Sequence, residues 1–165
     1  MMADSQILPG MVPDTELIDL LGRQLRDDHD AQLVLCLELE RLADMLPALP
    51  PPRRVRRICS HIDFVTSRYF RRAETVFADL MEFQTNPALR QMLESLASMH
   101  ALDAVHGEDV VAALWDGTAR GSAARPEELG YMLRCFFDGC RRAVALEEAL
   151  MLLIGAGLER KPVLA

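Results

Sequence analysis

Long apolar runs are missing from this 165-residue chain, and no uninterrupted stretch approaches the ~20 residues that a bilayer-crossing helix needs. The N-terminus, Met1 to Gly10, also lacks the basic start and apolar run of a secretion signal, so the cytoplasm is the expected compartment. None of the four cysteines, Cys36, Cys59, Cys135 and Cys140, forms a Cys-x-x-Cys pair. Each falls among helical apolar residues and reads as a reduced core thiol; a Cys135/Cys140 redox pair is disfavoured, because positions five apart do not face each other on a helix. Positive charge is in deficit, with 18 Lys and Arg against 25 Asp and Glu for a net charge of -7, which speaks against nucleic acid as a partner. There is no phosphate-cradling glycine loop, no His-Glu-x-x-His and no nucleophile beside a positioned base, so the chain does not read as an enzyme.

What is present is a globular mixture, half apolar and a quarter charged, of a length suited to one domain. Proline and glycine divide it into four segments. Pro13-Asp14 opens the first, which runs to Pro47 ahead of a stiff Pro50-Pro51-Pro52 connector; the second extends to about Phe83. Thr85-Asn86-Pro87 caps a third that fades at Gly117, and Pro126 opens a fourth that frays at Gly155 and Gly157. Apolar residues recur every three or four positions in each, with no strand-like alternation. The first stripe is Ile18, Leu21, Leu25, Leu33 and Cys36, and the second is Ile58, Ile62, Val65, Tyr69, Val76 and Leu80. Four such stripes predict an all-α, up-down-up-down antiparallel four-helix bundle over residues 14–160, with a flexible N-terminal segment at 1–13 and a tail at 161–165. Two arginine groups, Arg53 to Arg57 and Arg68 to Arg72, read as a solvated or intramolecularly paired face.

Polar residues interrupt the stripes at one height. His29 follows Leu21 and Leu25 at i+4 spacing, His100 follows Leu96 with Asp103 near the same face, and Glu147 follows Phe136 and Cys140. Glu74, between Phe70 and Phe77, reaches the interior edge of the second helix. Each lies roughly 14 to 24 residues into its segment, so in an antiparallel bundle all four meet near the middle layer. Two imidazoles and two carboxylates converging from four helices is how bundles build non-haem iron or manganese sites, and a buried imidazole–carboxylate network would satisfy the same groups without metal. His61 and His106 fall at the edges and read as boundary residues.

With these residues in place, the chain resembles the hemerythrin-like, or HHE cation-binding, family. The resemblance rests on Leu25 to His29, on Leu96 to Asp103, and most closely on Leu129 to Arg134 continuing through Arg141-Arg142 to Glu147-Glu148. It implies metal ligands at His29, Glu74, His100 and Glu147. Where the family carries a second-helix His-His-x-x-Glu-Glu, this chain has Tyr69-Phe70-Arg71-Arg72-Ala73-Glu74, and the fourth-helix ligand histidine is replaced by Ala143. The implied function is a non-enzymatic cation-binding domain with a reduced or vestigial non-haem iron site, used for sensing or binding and not for oxygen carriage. The alternative is a metal-free bundle acting in regulation or protein interaction, its old cavity refilled by Tyr69 and Phe70 against Ala104 and Ala143. Weak or absent iron, an unidentified protein partner, and no nucleic acid or membrane partner are the expectations.

Overall fold

The breakers act where the sequence places them. In a computed structural model describing residues 15–82 and 86–159, the first helix, α1, spans Thr15–Met45 and stops before Pro47. The next, α2, spans Pro52–Phe64 with its proline in the first turn, where the missing N–H is no loss. It continues through a π turn, Val65–Tyr69, into α3, Phe70–Met81, and the three together form one rod. Asn86 caps α4, Pro87–Thr118, by accepting from the Ala88 N–H at 3.0 Å. Last comes α5, Pro126–Glu159, which runs on through Gly155 and Gly157 and does not fray there as the sequence suggested. Among the described residues there is no strand beyond one isolated bridge, Ala48 to Ser122, and no helix long and apolar enough to cross a membrane. The expected segments 1–13 and 161–165, and the Phe83 to Thr85 stop, lie outside the described residues.

The chain is therefore all-helical, with α5 packed on both α1 and α4, and α4 packed on the α2–π–α3 rod. The two loops at one end hold each other: Leu49 N–H donates to Gly121 O at 3.0 Å, and Ala123 N–H to Pro47 O at 2.9 Å. Gly121 makes that turn at φ +63°, a left-handed conformation that costs glycine nothing.

Two local departures from the expected stripes matter for the interior. On α1 the core position after His29 is Gln32, and Leu33 is turned 36 % exposed; the inward line runs Leu25, His29, Gln32, Cys36. On the second rod the core line steps from Val65 to Phe70, five residues, where α-helical spacing predicted Tyr69. The extra residue is the π turn. The Thr66 hydroxyl donates to Ile62 O and Asp63 O at 3.2 and 3.3 Å, and the Ser67 hydroxyl donates to Asp63 O at 2.6 Å, competing with the helix ladder where it widens. Tyr69 is left half-buried, edge-on to Phe64 at 5.1 Å, and Phe70 takes the interior.

The apolar interior is in two clusters. One gathers around Leu39, Ile58, Val110 and Phe136, the other around Leu25, Phe77, Leu96 and Leu150. His29, Gln32, His100, Asp103 and Glu147, all buried, sit at the boundary between them.

Candidate functional site

All four residues singled out from the sequence come together in this boundary layer. Glu147, 1 % exposed on α5, stands between the two histidines: its Oε2 is 2.7 Å from His29 Nε2 and its Oε1 is 3.0 Å from His100 Nε2. His100 then turns its other nitrogen, Nδ1, to Glu74 Oε1 at 2.9 Å. Glu74 is 38 % exposed, so the chain of contacts begins at the surface and ends at the buried His29.

The electrostatics set the direction of these hydrogen bonds. Burial raises the Glu147 carboxyl's affinity for a proton, but bonds from His100 and His29 together outweigh it and hold the group below its ordinary value of 4.5. Glu147 is thus an acceptor on both oxygens, and both Nε2 atoms donate. His100 faces carboxyl oxygens on both sides, Glu147 through Nε2 and Glu74 through Nδ1. His29 Nδ1 has no hydrogen-bond partner among the described residues; Glu148 Oε1 stands 3.9 Å away.

Phe70 closes the layer from the second rod. Its ring lies flat on the His100 imidazole, centroids 4.2 Å apart and planes within 3°, and is 2 % exposed. Ala73 and Ala143 are buried beside the same layer, and Ala104 is half-buried. Of the two aromatic replacements, Phe70 alone enters the interior.

Sequence reading missed several neighbours. Asp28, adjacent to His29 and itself buried, receives Arg72 Nη1 at 2.9 and 3.0 Å, latching α1 to α3. Burial raises the Asp28 pKa, with Arg72 opposing it. Arg72 belongs to the group read as solvated or paired within the chain, and it is paired; its partner is not legible because nothing in the sequence links positions 28 and 72. Arg54 and Arg57 do pair within the chain, both with Glu38.

Asp103 lies one turn beyond His100, its carboxylate pressed against the α5 backbone at Gly139. Burial pushes its pKa up, opposed by His106, Arg142 and His100. A methyl group at position 139 would overlap that carboxylate, so Gly139→Ala is expected to cost about 1–3 kcal/mol by overpacking. Urea unfolding of the cycle with Asp103→Ala measures the coupling. A loss that is unchanged in the Asp103→Ala background would mean the overlap is not the cause.

The cysteines divide differently from expectation. Cys36, Cys59 and Cys140 are buried, and burial pushes the Cys59 thiol up to about 11. Cys135 is half-exposed and so is not a core thiol. The thiol beside Cys140 is Cys36 on α1, whose Sγ donates to Phe137 O at 3.5 Å; the proximity of the two thiols lowers the pKa of Cys36 and raises that of Cys140, which burial raises further. His61 and His106 are half-buried, as boundary residues would be.

Among the described residues, no group of three or more His, Cys, Asp or Glu side chains has the arrangement to hold a metal ion. Compared with family models, with curated proteins and with solved structures, the chain matches none.

Proposed function

We propose that this chain is a metal-independent four-helix bundle with a non-enzymatic, regulatory or protein-interaction role, in which the His29–Glu147–His100–Glu74 network occupies the layer where a hemerythrin-like protein would hold iron. Four cross-contacts support an up-down-up-down arrangement. Between His29 and Cys36 the chain ascends α1 while its α5 partners descend from Glu147 to Cys140. Between His100 and Gly107 it ascends α4 while the second rod descends from Glu74 to Thr66 and Ile62. Neighbours therefore run antiparallel, joined by short connections.

The observation that carries the metal-free reading is the way donors and acceptors are spent. Both oxygens of Glu147 are matched to imidazole nitrogens and both nitrogens of His100 to carboxyl oxygens, so neither side chain has an unmatched polar atom to offer an ion. Phe70 covers that ring where the family resemblance would put a histidine. His29, Glu74, His100 and Glu147 are therefore a poor ligand set for iron.

The test is elemental analysis of protein expressed in iron-supplemented medium, beside a His29→Ala/His100→Ala variant. The expected result is no stoichiometric metal in either protein, and no rise in Tm when Fe(II), Mn(II) or Zn(II) is added to the parent. Stoichiometric iron in the parent that disappears in the variant would establish the metal-binding reading instead.

A further inference from the structure

Charge is unevenly divided over this molecule. From Pro52 to Met81 the second rod carries seven arginines against three acids, a net +4; the remaining residues hold 11 Lys and Arg against 22 Asp and Glu, a net -11. Two arginines of that rod pair with Glu38 and one with Asp28, but Arg53, Arg56, Arg68 and Arg71 have no ion-pair partner among the described residues. All four are exposed and share the outer face with Phe64, itself 45 % exposed. Asp63 is the acidic residue exposed between them.

The opposite pattern lies next door. From Gln91 to its end at Thr118, α4 contains five acids and not one lysine or arginine; Arg120, just past it, pairs with Asp116 at 3.0 Å. Val105, Glu108, Ala112 and Trp115 follow each other at three- and four-residue spacing on its exposed face, with Asp109 and Asp116 exposed beside them, a strip that is acidic and apolar together. On α1, by contrast, exposed Arg23, Arg26, Asp27 and Asp30 mix both signs. The two strips belong to neighbouring helices that approach closely: a methyl at Gly107 would stand 3.0 Å from Ile62 Cγ2 and 3.3 Å from Thr66 Cγ2. That contact places Phe64 level with Val105 and Glu108. With antiparallel rods, Arg53 and Arg56 are then level with Trp115 and Asp116.

We infer that this flank is a self-association surface and that its occupant is a second copy of the same chain. A basic strip and an acidic strip side by side on one face are self-complementary under a two-fold axis running parallel to the helices. That rotation lays each basic strip on the other copy's acidic strip, so each contact occurs twice: Arg53 and Arg56 fall at the Asp116 end, and Arg68 and Arg71 reach past Glu108 towards Val105 and Leu102. Phe64 then meets the apolar part of the opposing α4 strip. The distance from Arg53 to Arg71 is about 27 Å along the helix and two helices are about 20 Å wide, a footprint of roughly 540 Å² per copy. The total, about 1,100 Å², belongs to weak, reversible dimers, and charged strips of this kind weaken further as salt is added. The surface is independent of whether the core layer holds metal.

The test is sedimentation of the whole chain across a concentration series at ~0.05 M and ~0.5 M salt, spanning Debye lengths from above to below 10 Å. The expected result is a mass rising towards twice that of the monomer at low salt, with at least a tenfold weaker association at high salt. Two variants complete it: Arg53→Glu/Arg56→Glu/Arg68→Glu/Arg71→Glu, and Glu108→Lys/Asp109→Lys/Asp116→Lys. Each alone is expected to stay monomeric, with circular dichroism matching the parent. Mixed in equal amounts they are expected to associate, because both contacts of a mixed pair again join opposite charges. A parent that remains monomeric at every concentration and salt overturns the inference, as does an equal mixture of folded variants that fails to associate.

Discussion

Glu147→Ala is expected to lower the stability of the fold by about 3–5 kcal/mol, the cost of removing one partner from a buried charged network. The loss exceeds that of two ordinary hydrogen bonds, because the imidazoles of His29 and His100, 3 % and 2 % exposed, would keep their buried donors and lose their acceptor. Replacing the whole set, His29→Leu/His100→Leu/Glu147→Leu, should behave quite differently. Well-packed apolar residues of similar volume in place of a buried ionic group are often neutral or stabilising by about 1–4 kcal/mol, so the triple variant is expected to be at least as stable as the parent. The pH dependence has the sign of a depressed carboxyl group. Glu147's contribution is complete above the ordinary carboxylate value of 4.5 and is lost as pH falls through the lower folded value. Parent and Glu147→Ala should therefore differ most near neutrality and draw together in acid. Urea unfolding at a series of pH values measures all of this, and a difference that does not shrink in acid would remove the imidazole-held carboxylate from the account.

Phe70→Ala is expected to cost a further about 3–5 kcal/mol in its own right, as for other buried phenylalanines. The ring is 2 % exposed and covers one face of His100 at 4.2 Å, so its removal takes away packing and opens the imidazole to water. Tyr69→Ala is the matched comparison, since Tyr69 is half-buried and meets Phe64 edge-on near the surface. The π turn predicts that Phe70→Ala is much the worse of the two. If Tyr69→Ala were the more damaging, the second rod would be an uninterrupted α-helix with Tyr69 inward. The imidazole signals of His100, followed by NMR, should shift strongly in Phe70→Ala and little in Tyr69→Ala.

Much of this arrangement was readable from residue types alone. Proline, glycine and asparagine act locally, so helix starts at Pro87 and Pro126 emerged from a few adjacent residues, whereas Pro52, read as the end of a connector, is the first residue of α2. Apolar spacing of three and four placed His29, His100 and Glu147 inward, and their common depth along the helices brought them to one layer. The failures occurred where the regular period breaks. Leu33 yielded its place to Gln32 on α1, and Tyr69 yielded to Phe70 across the π turn at Val65–Tyr69. A fixed 100° step carries no trace of an inserted residue. Partnerships across the chain were equally invisible: Asp28 with Arg72, Cys36 with Cys140, and Asp103 against Gly139 are separated by 36 to 104 positions.

Helical class, the helix starts at Pro87 and Pro126 and the inward placement of His29, His100, Asp103 and Glu147 thus follow from one-dimensional order, because each depends on local backbone chemistry and on a period shorter than two turns. How those polar residues are used depends on side chains meeting across helices. In the sequence, two histidines and two glutamates are equally a ligand set and a hydrogen-bonded set. The difference lies in 2.7 to 3.0 Å contacts that commit both oxygens of Glu147 and both nitrogens of His100 to each other and to their neighbours, with Phe70 laid over the ring. Only packing four helices together sets those distances, and they favour a closed polar network over an open metal site.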